Sequence, residues 1–284
     1  PAPTSNPVTG FRTAVPGATH PTALSVGTSN AAALVTRHAA FILEGLESMR
    51  RAAANADTAL VMIDPVYDAV LVKALLVHCA RRESAWADTL IRKDAALGQD
   101  ASRQRKLQLA RWFGHGQPDL NRALVCTEQR ATAIGVGQLS DGEALEFRFP
   151  LPPCLRSQTF KRTLTATLAW LSPVNSFDQR YRRAEMWFEP PGDQIGVARA
   201  EFDHNQVKKG TVQHEVLQGQ LAAPYSDGDF MVFKVNCKAG AGKLEGAVRF
   251  ALCVSLEVAE GIRLPIYEEI AARIQVVSQV RVAS

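Results

Sequence analysis

Gly27-Thr28-Ser29, followed by Asn30 and the small residues Ala31, Ala32 and Ala33, is the pattern in this 284-residue chain best suited to covalent chemistry. A serine hydroxyl is a weak nucleophile at its free pKa. It needs a base to take its proton, an exposed place on a tight turn, and N–H donors for the oxyanion that forms. A helix starting at Ser29 supplies two of these. Its unbonded N–H groups and positive dipole end face developing negative charge, and Gly27 permits a sharp turn before it. The chemistry implied is acyl transfer, with Ser29 as nucleophile, its own backbone N–H as oxyanion donor, and Gly27 and Thr28 supporting the turn. The competing reading makes Ser29 an ordinary N-cap.

A partner base is harder to find. His38 lies nine residues along the same helix, roughly 13 Å away at about 1.5 Å per residue, so it cannot reach the hydroxyl. His20 reads as a loop residue. His78, His115, His204 and His214 show no metal-ligand spacing and are assigned structural or surface roles, so no metal is expected. Asn30 is the tempting side-chain donor to the oxyanion, but it reads first as a capping or solvent-facing residue. Lys238-Ala-Gly240-Ala-Gly242-Lys243 resembles a phosphate loop, but Cys237 and Leu244 stand where that motif needs Gly and Ser/Thr, so it reads as a hairpin turn. Arg180-Tyr181-Arg182-Arg183 could bind an acidic partner, but the commoner reading of such a cluster is a solvated strand edge protected by charge.

The elements that would hold these residues follow from periodicity. Residues 1–28 read as loop or short strand. Leu34, Val35, Ala39, Ile42, Leu43, Leu46 and Met49 form one apolar stripe of a helix from Ser29 to about Arg51. Asp64-Pro65 caps a second helix, Val66 to Arg81, and residues 83–112 read as further helix. A glycine turn at 114–116 then feeds a short helix capped near Asp119. Past Thr127 the chain turns β-branched and aromatic. Ala131–Val136, Ala144–Phe149, Thr163–Leu171, Ala184–Phe188, Val212–Gln218, Phe230–Asn236 and Val248–Val258 read as strands of an antiparallel sandwich. Leu164, Ala166, Leu168 and Trp170 alternate with Thr165, Thr167 and Ala169, the pattern of one buried face. Residues 265–274 read as a short helix or strand.

Composition is that of a globular chain, with 46% hydrophobic and 21% charged residues. A net charge of +4 with dispersed Lys and Arg implies no nucleic-acid partner. No apolar run approaches the ~20 residues of a membrane span, so no membrane is implied. Cys79, Cys126, Cys154, Cys237 and Cys253 are odd in number and sit in apolar sequence, which suits reduced thiols and a cytoplasmic location.

Three ordered segments together resemble the subtilisin-like serine peptidases, or subtilases. They are Gly27-Thr28-Ser29-Asn30-Ala31, the helical Val72-Lys73-Ala74-Leu75-Leu76-Val77-His78-Cys79-Ala80, and the glycine turn with its helix, Gly114-His115-Gly116-x-Pro118-Asp119-Leu120-Asn121-x-Ala123. Ala33 departs from the family, which usually has proline there. The resemblance implies an α/β C-terminal portion of a subtilisin-like catalytic domain, mainly helical, over residues 1–127, followed by an antiparallel β-sandwich domain over 128–284. It implies a serine endopeptidase with polypeptide substrates and no cofactor. The family's chain order puts the catalytic Asp and His, and an oxyanion Asn, before the serine. With a chain opening Pro1-Ala2-Pro3-Thr4 and a first methionine at Met49, that order implies the C-terminal part of a longer protein, inactive alone. The closest branch looks bacterial and intracellular, which adds an AAA-type ATPase as an implied partner. The rival reading is a non-enzymatic pseudoprotease or sandwich-type protein-interaction module.

Overall fold

A computed structural model describes residues 10–15, 17, 19, 22–55, 63–82, 98–156, 158–189, 198–199, 210–219, 225, 228–259, 261–274 and 280–283. The chain opens with a hairpin of β1 (Phe11–Ala14) and β2 (Thr22–Ser25) and continues into the long helix α1 (Thr28–Asn55). A 3-10 turn at Pro65–Tyr67, capped by the Asp64 carboxylate, leads into α2 (Asp68–His78). Then come β3 (Ala80–Arg81), α3 (Gly98–Phe113), β4 (Gln117–Pro118) and α4 (Leu120–Leu124), the last capped by Asp119.

The remaining strands are β5 (Arg130–Leu139), β6 (Glu143–Pro150), β7 (Arg162–Trp170), β8 (Ala184–Phe188), β9 (Ala198–Arg199), β10 (Val212–Gly219), β11 (Phe230–Ala239), β12 (Val248–Val258) and β13 (Val280–Ala283). They form a five-stranded sheet, in the order β5-β12-β7-β10-β9, and a four-stranded sheet, β13-β6-β11-β8. Helix α5 (Ile266–Ile274) follows β12 and packs Ile266 and Ile270 into the core.

Period-two alternation builds the main core. Leu164, Leu168 and Trp170 of β7 and Phe250, Leu252, Val254 and Leu256 of β12 meet Phe147, Phe149, Met186, Phe188 and Phe233 of the opposite sheet. Phe147 and Phe250 touch edge to face at 5.9 Å between ring centres. The buried Trp170 indole donates to the Ala184 carbonyl across the sheets, 3.2 Å. The expectation of a single buried face on β7 fails: Thr165, Thr167 and Ala169 are buried as well. The reason is a second apolar layer. Ala169, Ala251 and Cys253 on the outer face of the five-stranded sheet pack against Val70, Leu71, Ala74 and Leu75 of α2 and Ile42 and Leu46 of α1.

Polar ties fix this helical layer. Lys73 of α2 donates to the Trp170 carbonyl at 2.9 Å and to the Thr211 hydroxyl at 2.6 Å. Arg50 of α1 pairs with Asp68 and binds the Ile63 carbonyl. Arg122 of α4 pairs with Glu257 at the end of β12.

These facts overturn the expected α/β class, a mainly helical catalytic portion followed by a sandwich. Strand is the commonest regular state, and the described strands pair antiparallel in four sheets. A parallel pair needs a crossover on the order of a dozen residues or more. Only residues 15–21 separate β1 from β2, so they close as a hairpin, and α1 and α2 stack over a sheet built after residue 128.

One edge is closed by a side chain. The Gln213 amide of β10 accepts from the Phe188 N–H at 3.0 Å and donates to the Phe188 carbonyl at 2.8 Å, along the side of β8 that faces away from β11.

Candidate active site

Ser29 stands in the first turn of α1, where Gly27 provides the first carbonyl acceptor, to the Ala31 N–H at 3.2 Å. Gly27, Thr28 and Ser29 are all exposed. The opening N–H groups of the helix have no carbonyl one turn back to bind, so they point out beside the hydroxyl. Gly27 has a φ outside the left-handed region, and a Cβ on it would meet nothing within 4 Å. Glycine is thus not required for the turn itself; it leaves open space in front of the serine. Asn30 is half-buried and donates to the Ser25 hydroxyl at 2.7 Å, tying the helix start to β2. Its amide is therefore engaged locally. His38 is half-buried further along α1, and His20 and His204 lie outside the described residues.

The structure joins a serine to a histidine elsewhere. His78, in the last turn of α2, places Nε2 2.6 Å from the Ser255 hydroxyl of β12 and Nδ1 2.9 Å from the Thr167 hydroxyl of β7. Ser255 in turn meets the Thr132 hydroxyl of β5 at 2.6 Å, and Thr167 meets His214 Nδ1 of β10 at 2.7 Å. His115 stacks edge-on against His214, 5.5 Å between ring centres. The glycine turn sets that last contact. Gly114 (φ 56°) ends α3, and Gly116 (φ 100°) lies so near the Arg81 carbonyl that a Cβ would come within 2.3 Å of it. Register explains the rest: Thr167 is opposite Cys253 and His214, and Thr165 opposite Ser255, so the hydroxyls gather on the face beneath α2.

Electrostatics make this a neutral network. Burial, reinforced by Arg81, Arg122 and Arg130, pushes His78 down to about 3. Burial holds His214 well below its ordinary value and His115 at about 4. Thr167 has one hydroxyl proton and two imidazole neighbours, so it donates to one ring and accepts from the other, which gives the chain a direction. His78 and Ser255 are 2% and 3% exposed. With hydroxyl partners on both ring nitrogens and almost no exposure, His78 ties the end of α2 to β7 and β12.

Among the described residues, no group of three or more His, Cys, Asp or Glu could hold a metal ion, and no helix is long and apolar enough to cross a membrane. All five cysteines are unpaired thiols. The resemblance's three segments become the start of α1, the latter part of α2 running on through Cys79 into β3, and the glycine turn with α4; the second and third meet at the β3–β4 ladder, where Ala80 pairs with Pro118. Sequence reasoning missed the hydroxyl–imidazole network. Its signal was Thr165 and Thr167 set among Leu164, Ala166, Leu168 and Ala169 on β7, together with a histidine closing α2. No protein-family model and no curated protein matches the chain.

Proposed function

We propose that Ser29 is the nucleophile of a serine endopeptidase with subtilisin-like chemistry. The observation that carries this reading is an exposed hydroxyl in the first turn of a long helix, with open space at Gly27 and unbonded N–H groups alongside. In the reaction a base takes the Ser29 proton, the oxygen attacks a peptide carbonyl, and the helix-start N–H groups take the oxyanion's charge. The leaving amine receives the proton, and water then releases the acyl group. In subtilisin-like enzymes the base and its orienting acid precede the serine in chain order, and the described residues bring no histidine to Ser29. The 284 residues alone are therefore expected not to hydrolyse peptides.

The test is labelling of the protein as its gene encodes it with a fluorophosphonate probe. Covalent labelling that disappears in Ser29→Ala supports the reading. Absence of labelling, or labelling that survives the substitution, overturns it and leaves the interaction-module alternative, which the exposed apolar loop described next favours.

A further inference from the structure

We propose that the loop between β7 and β8, residues 171–183, docks an acidic polypeptide segment carrying apolar side chains. The proposal does not depend on the role of Ser29. Four large apolar residues on this loop face solvent: Phe177 is 99% exposed, Val174 64%, Leu171 54% and Tyr181 54%. Exposed apolar side chains scattered singly are ordinary, but four within eleven residues of one loop mark an interaction surface.

The loop is rigid by construction. Val174 and Arg182 form a β-bridge, the Asn175 N–H binds the Tyr181 carbonyl at 2.6 Å, and the Tyr181 N–H binds the Asp178 carbonyl at 2.8 Å. The Asn175 amide donates to the Ala241 carbonyl at 3.1 Å, and the N–H groups of Gly240 and Ala241 bind the carbonyls of Arg183 and Arg182. Within this frame Tyr181 holds a φ of 42°, the one left-handed non-glycine residue among those described. A bulky side chain adopts that region at a cost of about 1 kcal/mol or more, and only where its surroundings enforce it.

Charge selects the partner. Arg180 pairs with Asp178, whereas Arg182 donates to the Gly210 carbonyl and Arg183 to the Lys243 carbonyl, so among the described residues no carboxylate pairs with either guanidinium. Arginine and tyrosine beside aliphatic residues are the composition of a protein-binding hot spot. Two copies of this loop would oppose arginine to arginine, which disfavours self-association.

The experiment pans a displayed library of random short peptides on the protein, counter-selecting on the Phe177→Ser/Tyr181→Ser variant, and then measures the enriched peptides by fluorescence anisotropy. The expected result is enrichment of peptides combining Asp or Glu with Leu, Phe or Trp. Their affinity should fall about tenfold in Phe177→Ser and in Arg183→Glu, and should weaken with salt. Thermal melting should be unchanged in Phe177→Ser, because the ring is solvated. Enrichment of nothing, of basic peptides, or of peptides that bind the variant equally well overturns the proposal, as does tighter loop-dependent binding of a single-stranded oligonucleotide.

Discussion

Ser29 at the start of α1 and Ser255 near the end of β12 carry the same hydroxyl into opposite surroundings. Ser29 is solvent-exposed, beside helix N–H groups and, among the described residues, without a histidine partner. Ser255 has a histidine nitrogen 2.6 Å away but is sealed beneath α2 among hydroxyls and arginines. Nucleophilic chemistry needs access, a competent base and oxyanion donors together. The contact that looks most like a catalytic pair has the least access. Proximity of serine to histidine is therefore a poor guide to function when both are walled in.

The contrast can be strained hardest with acid. His78 and His214 are held below their ordinary pKa, so below about pH 6.5 the unfolded chain binds more protons than the folded one. Their neutral burial contributes fully above that pH, and the contribution is lost as pH falls toward 3. The unfolding free energy from urea titrations should fall between pH 6.5 and pH 4.5 with a slope approaching about 1.4 kcal/mol per pH unit for each histidine. A flat profile contradicts the neutral network.

Next in size, His78→Ala should cost about 3 kcal/mol, since it opens a cavity and strands the Ser255 and Thr167 hydroxyls. Equilibrium unfolding measures it, and the acid slope should shrink in the same variant. Arg122→Ala removes the half-solvated partner of Glu257 and should cost about 1 kcal/mol in the same assay. Ser29→Ala should change stability by less than about 0.5 kcal/mol while abolishing fluorophosphonate labelling. A large loss of stability at Ser29 would give it a structural role and collapse the distinction between the two serines.

Local chemistry was readable; its partners were not. The stripe from Leu34 to Met49, the Asp64-Pro65 and Asp119 caps and the β strands after residue 128 are set by near neighbours, and the structure has helix or strand at each. What covers β7's second face is a contact between residues nearly a hundred apart in the chain, such as His78 with Thr167. Nothing periodic announces such a pairing. The expected α/β class failed for the same reason: helices read correctly one at a time carry no label for the sheet they will lie on. The strand β13 also went unread, its four residues being too few for alternation to register. At Ser29 the turn and the helix start were legible, whereas the base that would activate it was assigned by resemblance alone.

The amide of Gln213 has a consequence for how copies of this chain coexist at high concentration. By occupying the donor and acceptor of Phe188 it behaves as one residue of a missing neighbouring strand, so at that position the outer rim of the four-stranded sheet is closed to a foreign chain. A Gln213→Leu protein would keep a similar side-chain volume but expose that rim, and fibril nucleation would start there.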